Sequence, residues 1–191
     1  MRGTNKPLII GKDYKPTGTV PSIVLTNPRF AYNVGMVVRL ASCYGMKQIW
    51  WTGERVSYDI KNKKKLPREE RMKGYKDVQM INFDRPLEQF ENVVPIAVEL
   101  RPNSERLQDF IHPENAVYVF GPEDGSISSD VLSQCHRFLV IPVRHCLNLA
   151  TAVATVLWDR ATKLNVGLSE PADYKVSSET RPEEIGLYNL T

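Results

Sequence analysis

Three short segments carry polar residues whose types and spacing could do chemistry. The first runs from Asn27 to Gly45 and contains Asn33, Gly35 and Arg39. In a helix, Arg39 projects about one and a half turns after Asn33, and Asn33 is itself a residue type that caps helices. The second is Phe120-Gly121-Pro122-Glu123-Asp124-Gly125, a glycine-punctuated loop leaving a strand. The third is Ile141-Pro142-Val143-Arg144-His145-Cys146-Leu147-Asn148, where a strand ends at a proline loop and enters a helix. A guanidinium holds its proton too firmly to act as a base, so any chemistry of Arg39 is that of a fixed cation able to stabilise or grip an anion. The competing reading is a surface arginine in a salt bridge. Glu123 can accept hydrogen bonds from backbone amides and hold its loop, orient Arg39, or simply be solvated. Asn148 can bind loop backbone or cap the helix that follows. Cys146 reads as a small, buried thiol in preference to a covalent nucleophile, which would need an activating base; His145 is adjacent only in sequence.

Other chemistries lack their signatures. There is no G-x-x-x-x-G-K-[ST] loop, no G-x-G-x-x-G after the first strand and no G-x-S-x-G elbow. His112, His136 and His145 have no metal-ligand spacing and are expected to be surface or loop residues, so no metal is expected. Cys43, Cys135 and Cys146 are odd in number with no C-x-x-C pair, which argues against a disulfide framework and a zinc ribbon.

These segments need elements to position them, and the chain alternates short β-branched runs with amphipathic stretches. Strands are expected at 22–26, 48–52, 77–83, 94–100, 116–120 and 137–141. Helices are expected at 33–44, ending at Gly45, and from Leu147 to Lys163, with shorter ones at 86–91 and 128–134. Such alternation predicts an α/β domain with a mostly parallel sheet and helices on both faces. Residues 1–20 read as an N-terminal extension, 21–166 as the domain and 167–191 as a polar tail.

The chain has 191 residues, 42% hydrophobic and 25% charged, which excludes a disordered chain, a collagen and a small disulfide scaffold. No run approaches the ~20 apolar residues of a membrane helix, and the apolar run near the N-terminus is too short for a signal-peptide core. A cytoplasmic protein with reduced thiols is the expectation. The formal charge is only +3, but its distribution is uneven. Nine basic residues and four acidic ones lie between Glu54 and Lys76. Lys63, Lys64, Lys65 and Arg68 are the candidate phosphate-binding residues there, with Tyr58 and Tyr75 available to stack on splayed bases. A solvated charged loop is the alternative.

Taken in order, the three segments resemble the SpoU/TrmH family of RNA ribose 2′-O-methyltransferases within the SPOUT superfamily. The match to the family's N-x-G-x-x-x-R motif is Asn33, Gly35 and Arg39; Glu123 matches the acid of its glycine loop; Ile141-Pro142 and Leu147-Asn148 match its third motif. The resemblance implies a C-terminal trefoil knot, a homodimer, and S-adenosylmethionine bound largely through backbone groups, with Gly121, Ile141, Cys146 and Leu147 lining that site. It implies functional roles for Arg39, Asn33, Glu123 and Asn148, and an RNA substrate, with tRNA favoured over rRNA. The chain departs from the family in carrying Cys146 where a serine is usual and in a shorter loop between Pro142 and Leu147. A non-catalytic knotted RNA-binding or assembly protein, and a base-methylating SPOUT enzyme, stay open as alternatives at this point.

Overall fold

Successive residues of a strand face opposite sides of a sheet, and here both sides are apolar. In β1 (Ser22–Leu25), Ile23 and Leu25 join one hydrophobic cluster and Val24 joins the other. In β2 (Gln48–Trp51), Ile49 and Trp51 face the first cluster and Trp50 the second. A sheet buried on both faces is characteristically parallel, with crossovers covering each side. The computed structural model describes residues 18–56 and 78–168. It adds β3 (Gln79–Asn82), β4 (Val94–Val98), β5 (Glu105–Arg106), β6 (Ala116–Phe120) and β7 (Arg137–Val140). The seven strands lie in the order β3-β2-β1-β6-β4-β7-β5, and every ladder between them is parallel.

Helices α1 (Ala31–Cys43) and α3 (Leu149–Leu164) cover the first face. They bury Val34, Val37, Val38 and Ala41 from α1 and Val153, Val156, Leu157 and Ala161 from α3. Helix α1 closes in a Schellman turn, with Gly45 in the left-handed region and the Met46 amide donating to the Ala41 carbonyl. The second face has a thinner cover: a 3-10 turn at Pro86–Gln89, then Phe90, and the single-turn α2 (Ser129–Leu132). There the buried Trp50 ring packs 5.4 Å from that of Phe90 and edge-on to Phe83.

Several sequence expectations shift. The strand at 77–83 starts at Gln79, and the helix expected at 86–91 is the 3-10 turn. Strand β5 is an addition: two exposed residues whose partner is β7. His112 was expected at the surface but is 3% exposed. Its Nδ1 lies 2.6 Å from the Tyr118 hydroxyl and its Nε2 lies 2.8 Å from Asp159 of α3. Burial lowers its pKa, against the opposing pull of Asp159. Lys163 donates to the Leu107 and Phe110 carbonyls at 2.6 and 3.2 Å. Together these bonds fasten the stretch 107–112 to α3. Lys63, Lys64, Lys65, Arg68, Tyr58 and Tyr75 lie outside the described residues, as do most of the extension and most of the tail.

Candidate functional site

The first two strands after β1 step outward to one side, and the remaining strands lie on the other. That reversal is where α/β sheets bind ligands, beyond the carboxyl ends of the strands. The loops leaving β1 and β6 meet there, because the Thr26 amide and hydroxyl both donate to the Phe120 carbonyl.

Glu123 bridges these loops. Its carboxylate accepts the Arg29 amide at 2.7 Å and the Phe30 amide at 3.4 Å. Phe30 is the N-cap position of α1 and supplies no side-chain cap of its own. The first amides of a helix need acceptors and favour negative charge nearby. Glu123, more than ninety positions along the chain, meets part of that need. Asn33 therefore is not the cap expected from its residue type. It lies inside the first turn of α1, 4% exposed, and donates its amide nitrogen to Glu123 at 2.7 Å.

That bond decides the orientation of everything beyond it. With its nitrogen committed to Glu123, Asn33 turns its oxygen outward to accept Asn148 Nδ2 at 3.0 Å. Asn148 then presents its own oxygen to the Ala150 and Thr151 amides and caps α3. One chain of hydrogen bonds thus joins the N-termini of α1 and α3 through residues from all three segments. An amide cannot be turned over in it without placing donor against donor.

Beside the bridge, the Arg55 guanidinium donates to both oxygens of Asp124 at 2.9 and 3.0 Å, and also to the Asn27 carbonyl. Arg29 joins the same carboxylate at 3.2 Å. The hydrogen bond from Arg55 holds the Asp124 carboxyl below the usual range. Arg55 thereby ties the start of the basic segment to the glycine loop. Gly53 makes this approach possible: its φ is +74°, and a β-carbon there would run into the Asn27 side chain. Gly53→Ala is expected to cost about 1–3 kcal/mol, measured as a lowered urea midpoint at unchanged slope.

Ile141, Cys146 and Leu147 line a cleft of about 560 Å³ at the carboxyl ends of β4 and β7. Val98, Glu99 and Leu100 from the end of β4 line it as well. Cys146 is exposed there, contrary to the buried thiol expected. Gly121 does not line this cleft; a β-carbon there would meet Ile127 of its own loop at 3.4 Å. Arg39 is exposed on α1, and among the described residues it has no ion-pair or hydrogen-bond partner. It is not brought to Glu123. Among the described residues no cluster of histidine, cysteine and carboxylate could hold a metal ion, and no helix is long and apolar enough to cross a membrane.

Arg29, Asp124 and Glu99 carry no site role readable from the sequence, and Arg55 counts there only as part of the basic segment. The available signal for Glu99 was its position, a charged residue at the end of an apolar strand.

Residues 21–158 match the model of the SpoU rRNA methylase family. None of the curated proteins matches the chain. Among solved structures, the SpoU methyltransferase AviRb from Streptomyces viridochromogenes, in complex with the cofactor AdoMet, is similar at a TM-score of 0.62 and 17% identity. That match covers 75% of this chain and 60% of that one. The AdoMet-bound rRNA methyltransferase from Sinorhizobium meliloti is similar at 0.63 and 18%, over 82% and 60%. A protein solved for insight into 2-OH methylation of C/U34 on tRNA is similar at 0.62 and 22%, over 75% and 95%. The matches thus span about 60% of the length of the first two relatives and nearly all of the third.

Proposed function

The chain belongs to the SpoU rRNA methylase family, and on that premise we propose that it methylates a ribose 2′-hydroxyl of structured RNA, tRNA ahead of rRNA, with S-adenosylmethionine as cofactor. The observation that carries this reading is the hydrogen-bonded chain Glu123–Asn33–Asn148, which unites all three segments beside a cleft. The similarity to a structure concerned with 2-OH methylation of tRNA supports the choice of ribose and of tRNA.

The cleft fits the cofactor in size and chemistry. Its volume is within the usual range for small-molecule sites. Its wall is largely apolar (Val98, Leu139, Ile141, Leu147), and Glu99 and Arg106 contribute charge. Bound there, S-adenosylmethionine would supply an activated methyl group on a sulfonium. Arg39, exposed and unpaired among the described residues, is free to meet the substrate. Its role is to stabilise charge developing on the ribose oxygen and to grip the neighbouring phosphate. Glu123, Asn33 and Asn148 hold the helix ends and loops in register around it. Gly121 supports the loop that carries Glu123. A homodimer, a C-terminal trefoil knot and a cytoplasmic location belong to the same reading. Trp158, 57% exposed on α3, supports a further packing partner for that helix, and three unpaired thiols suit a reducing compartment.

The test is methyl transfer from labelled cofactor into total RNA, followed by nuclease digestion. A 2′-O-methyl nucleotide is expected. A methylated base would redirect the reading to base chemistry, and absence of incorporation into tRNA and rRNA would favour a binding protein. Lys63, Lys64 and Lys65 belong to the RNA-binding part of the proposal, with Arg68. Reversing the three lysines to glutamate is expected to weaken RNA binding by about tenfold or more at moderate salt, with cofactor affinity unchanged. Filter binding across a salt series reads both the loss and a shallower salt slope.

A further inference from the structure

Among the described residues, Glu99 is the one acid that lines the cleft. It follows β4 directly, its amide donates to the Leu139 carbonyl of β7 at 2.9 Å, and its carbonyl accepts the Ser104 hydroxyl at 2.8 Å. The side chain is anchored too: Oε2 accepts the Ile127 amide at 3.0 Å, from the loop after Glu123. The other oxygen, Oε1, has no hydrogen-bond partner among the described residues and is not a buried orphan. A carboxylate fixed on one side and open on the other, in the wall of a cleft, is a ready acceptor for a ligand's donors.

We propose that Glu99 recognises the ribose hydroxyls of the adenosyl cofactor. This assignment rests on the methyltransferase reading above. An adenosyl sulfonium offers four kinds of partner to a carboxylate: the ribose diol, the adenine amino group, the α-ammonium and the sulfonium itself. The sulfonium charge vanishes as the methyl leaves, so a carboxylate fixed against it would stabilise the starting state more than the transition state and oppose transfer. The diol is unchanged by the reaction, so holding it costs nothing at that step. A carboxylate at the end of a parallel strand also holds a ribose hydroxyl in dinucleotide-binding sheets, where the strand end sets the distance. Glu99 likewise follows the end of a parallel strand, β4.

Glu99→Gln isolates the open oxygen. The Ile127 amide requires an acceptor, so the glutamine turns its oxygen toward Ile127 and its nitrogen into the cleft. Folding is thereby preserved while the ligand-facing acceptor becomes a donor. Calorimetric titration with S-adenosylhomocysteine, with 5′-methylthioadenosine and with the 2′,3′-dideoxyribose analogue of S-adenosylhomocysteine tests the assignment. The variant is expected to bind the first two about tenfold or more weakly than the native chain. It should bind the dideoxy analogue as the native chain does, with the melting temperature of the free protein unchanged. Equal affinity of both proteins for S-adenosylhomocysteine would overturn the assignment. So would a loss that persists with the dideoxy analogue, or one confined to ligands with the amino-acid moiety, which would transfer the contact to the ammonium. Absence of binding of every adenosyl ligand to the native chain would overturn the methyltransferase reading itself, and the assignment with it.

Discussion

Replacing Arg39 with alanine is expected to lower methyl transfer into RNA by about 10²–10³-fold, the usual cost of removing a donor aimed at developing negative charge. Stability should hardly move. Arg39 is exposed on α1 and has no partner among the described residues, so the surface change is worth about 0.5 kcal/mol or less. Alanine is also the better helix former. Affinity for S-adenosylhomocysteine is expected to stay the same, which separates loss of chemistry from loss of the cofactor site. Lysine keeps the charge but not the planar fork, and it is expected to recover only a small part of the rate. Near-normal turnover by Arg39→Lys, with folding intact, would leave a simple positive charge as the residue's whole contribution. Single-turnover kinetics at saturating RNA measure the step concerned.

The second large effect is on stability. Glu123→Ala removes the acceptor for two backbone amides at the start of α1 and for the Asn33 side chain. Loss of a helix cap and abandonment of a buried amide together are expected to cost about 2–4 kcal/mol. Asn33 is 4% exposed, so its nitrogen has little access to replacement water. The damage should propagate: freed from Glu123, Asn33 can turn over, and Asn148 then loses a fixed partner. Glu123→Ala, Asn33→Ala and the double variant form a cycle, and the two substitutions are expected to be strongly non-additive because the residues are in direct contact. Additive urea-denaturation energies would mean that the bridge contributes nothing as a unit. Glu123→Gln keeps one acceptor but points a second donor at donors, so its loss should be smaller than that of alanine and still measurable.

The difference between those two sites is also the difference between what local sequence reveals and what it does not. Strands β1, β2 and β6 were legible because apolar, β-branched and aromatic residues persist through each run, as a doubly buried strand requires. Helix α3 was legible by its periodicity, and Asn148 by its type at a helix start. The start of α1 was not, because its cap acceptor arrives from another strand-end more than ninety positions away. Asn33 looked like a cap by residue type and is instead a donor to the true acceptor. His112 looked like a loop histidine; only the fold supplies Tyr118 and Asp159 to satisfy its ring and permit burial. Strand β5 is two charged residues with no period to read, and it exists because β7 lies alongside. Glu99 carried no motif at all, and its significance comes from Ile127 and the cleft.

The position of β7 sets an order of events during synthesis. Among the described residues it is the last strand to be made, yet it occupies an interior place between β4 and β5. Until it emerges, β5 has no neighbour and β4 has one open edge. The stretch 107–112 must also wait for α3, which provides Asp159 and Lys163. A nascent chain released before β7 would contain β1, β2 and β6 but not the wall of the cleft from residues 139–147. The cleft is therefore complete only once the chain from β7 through residue 147 has been made.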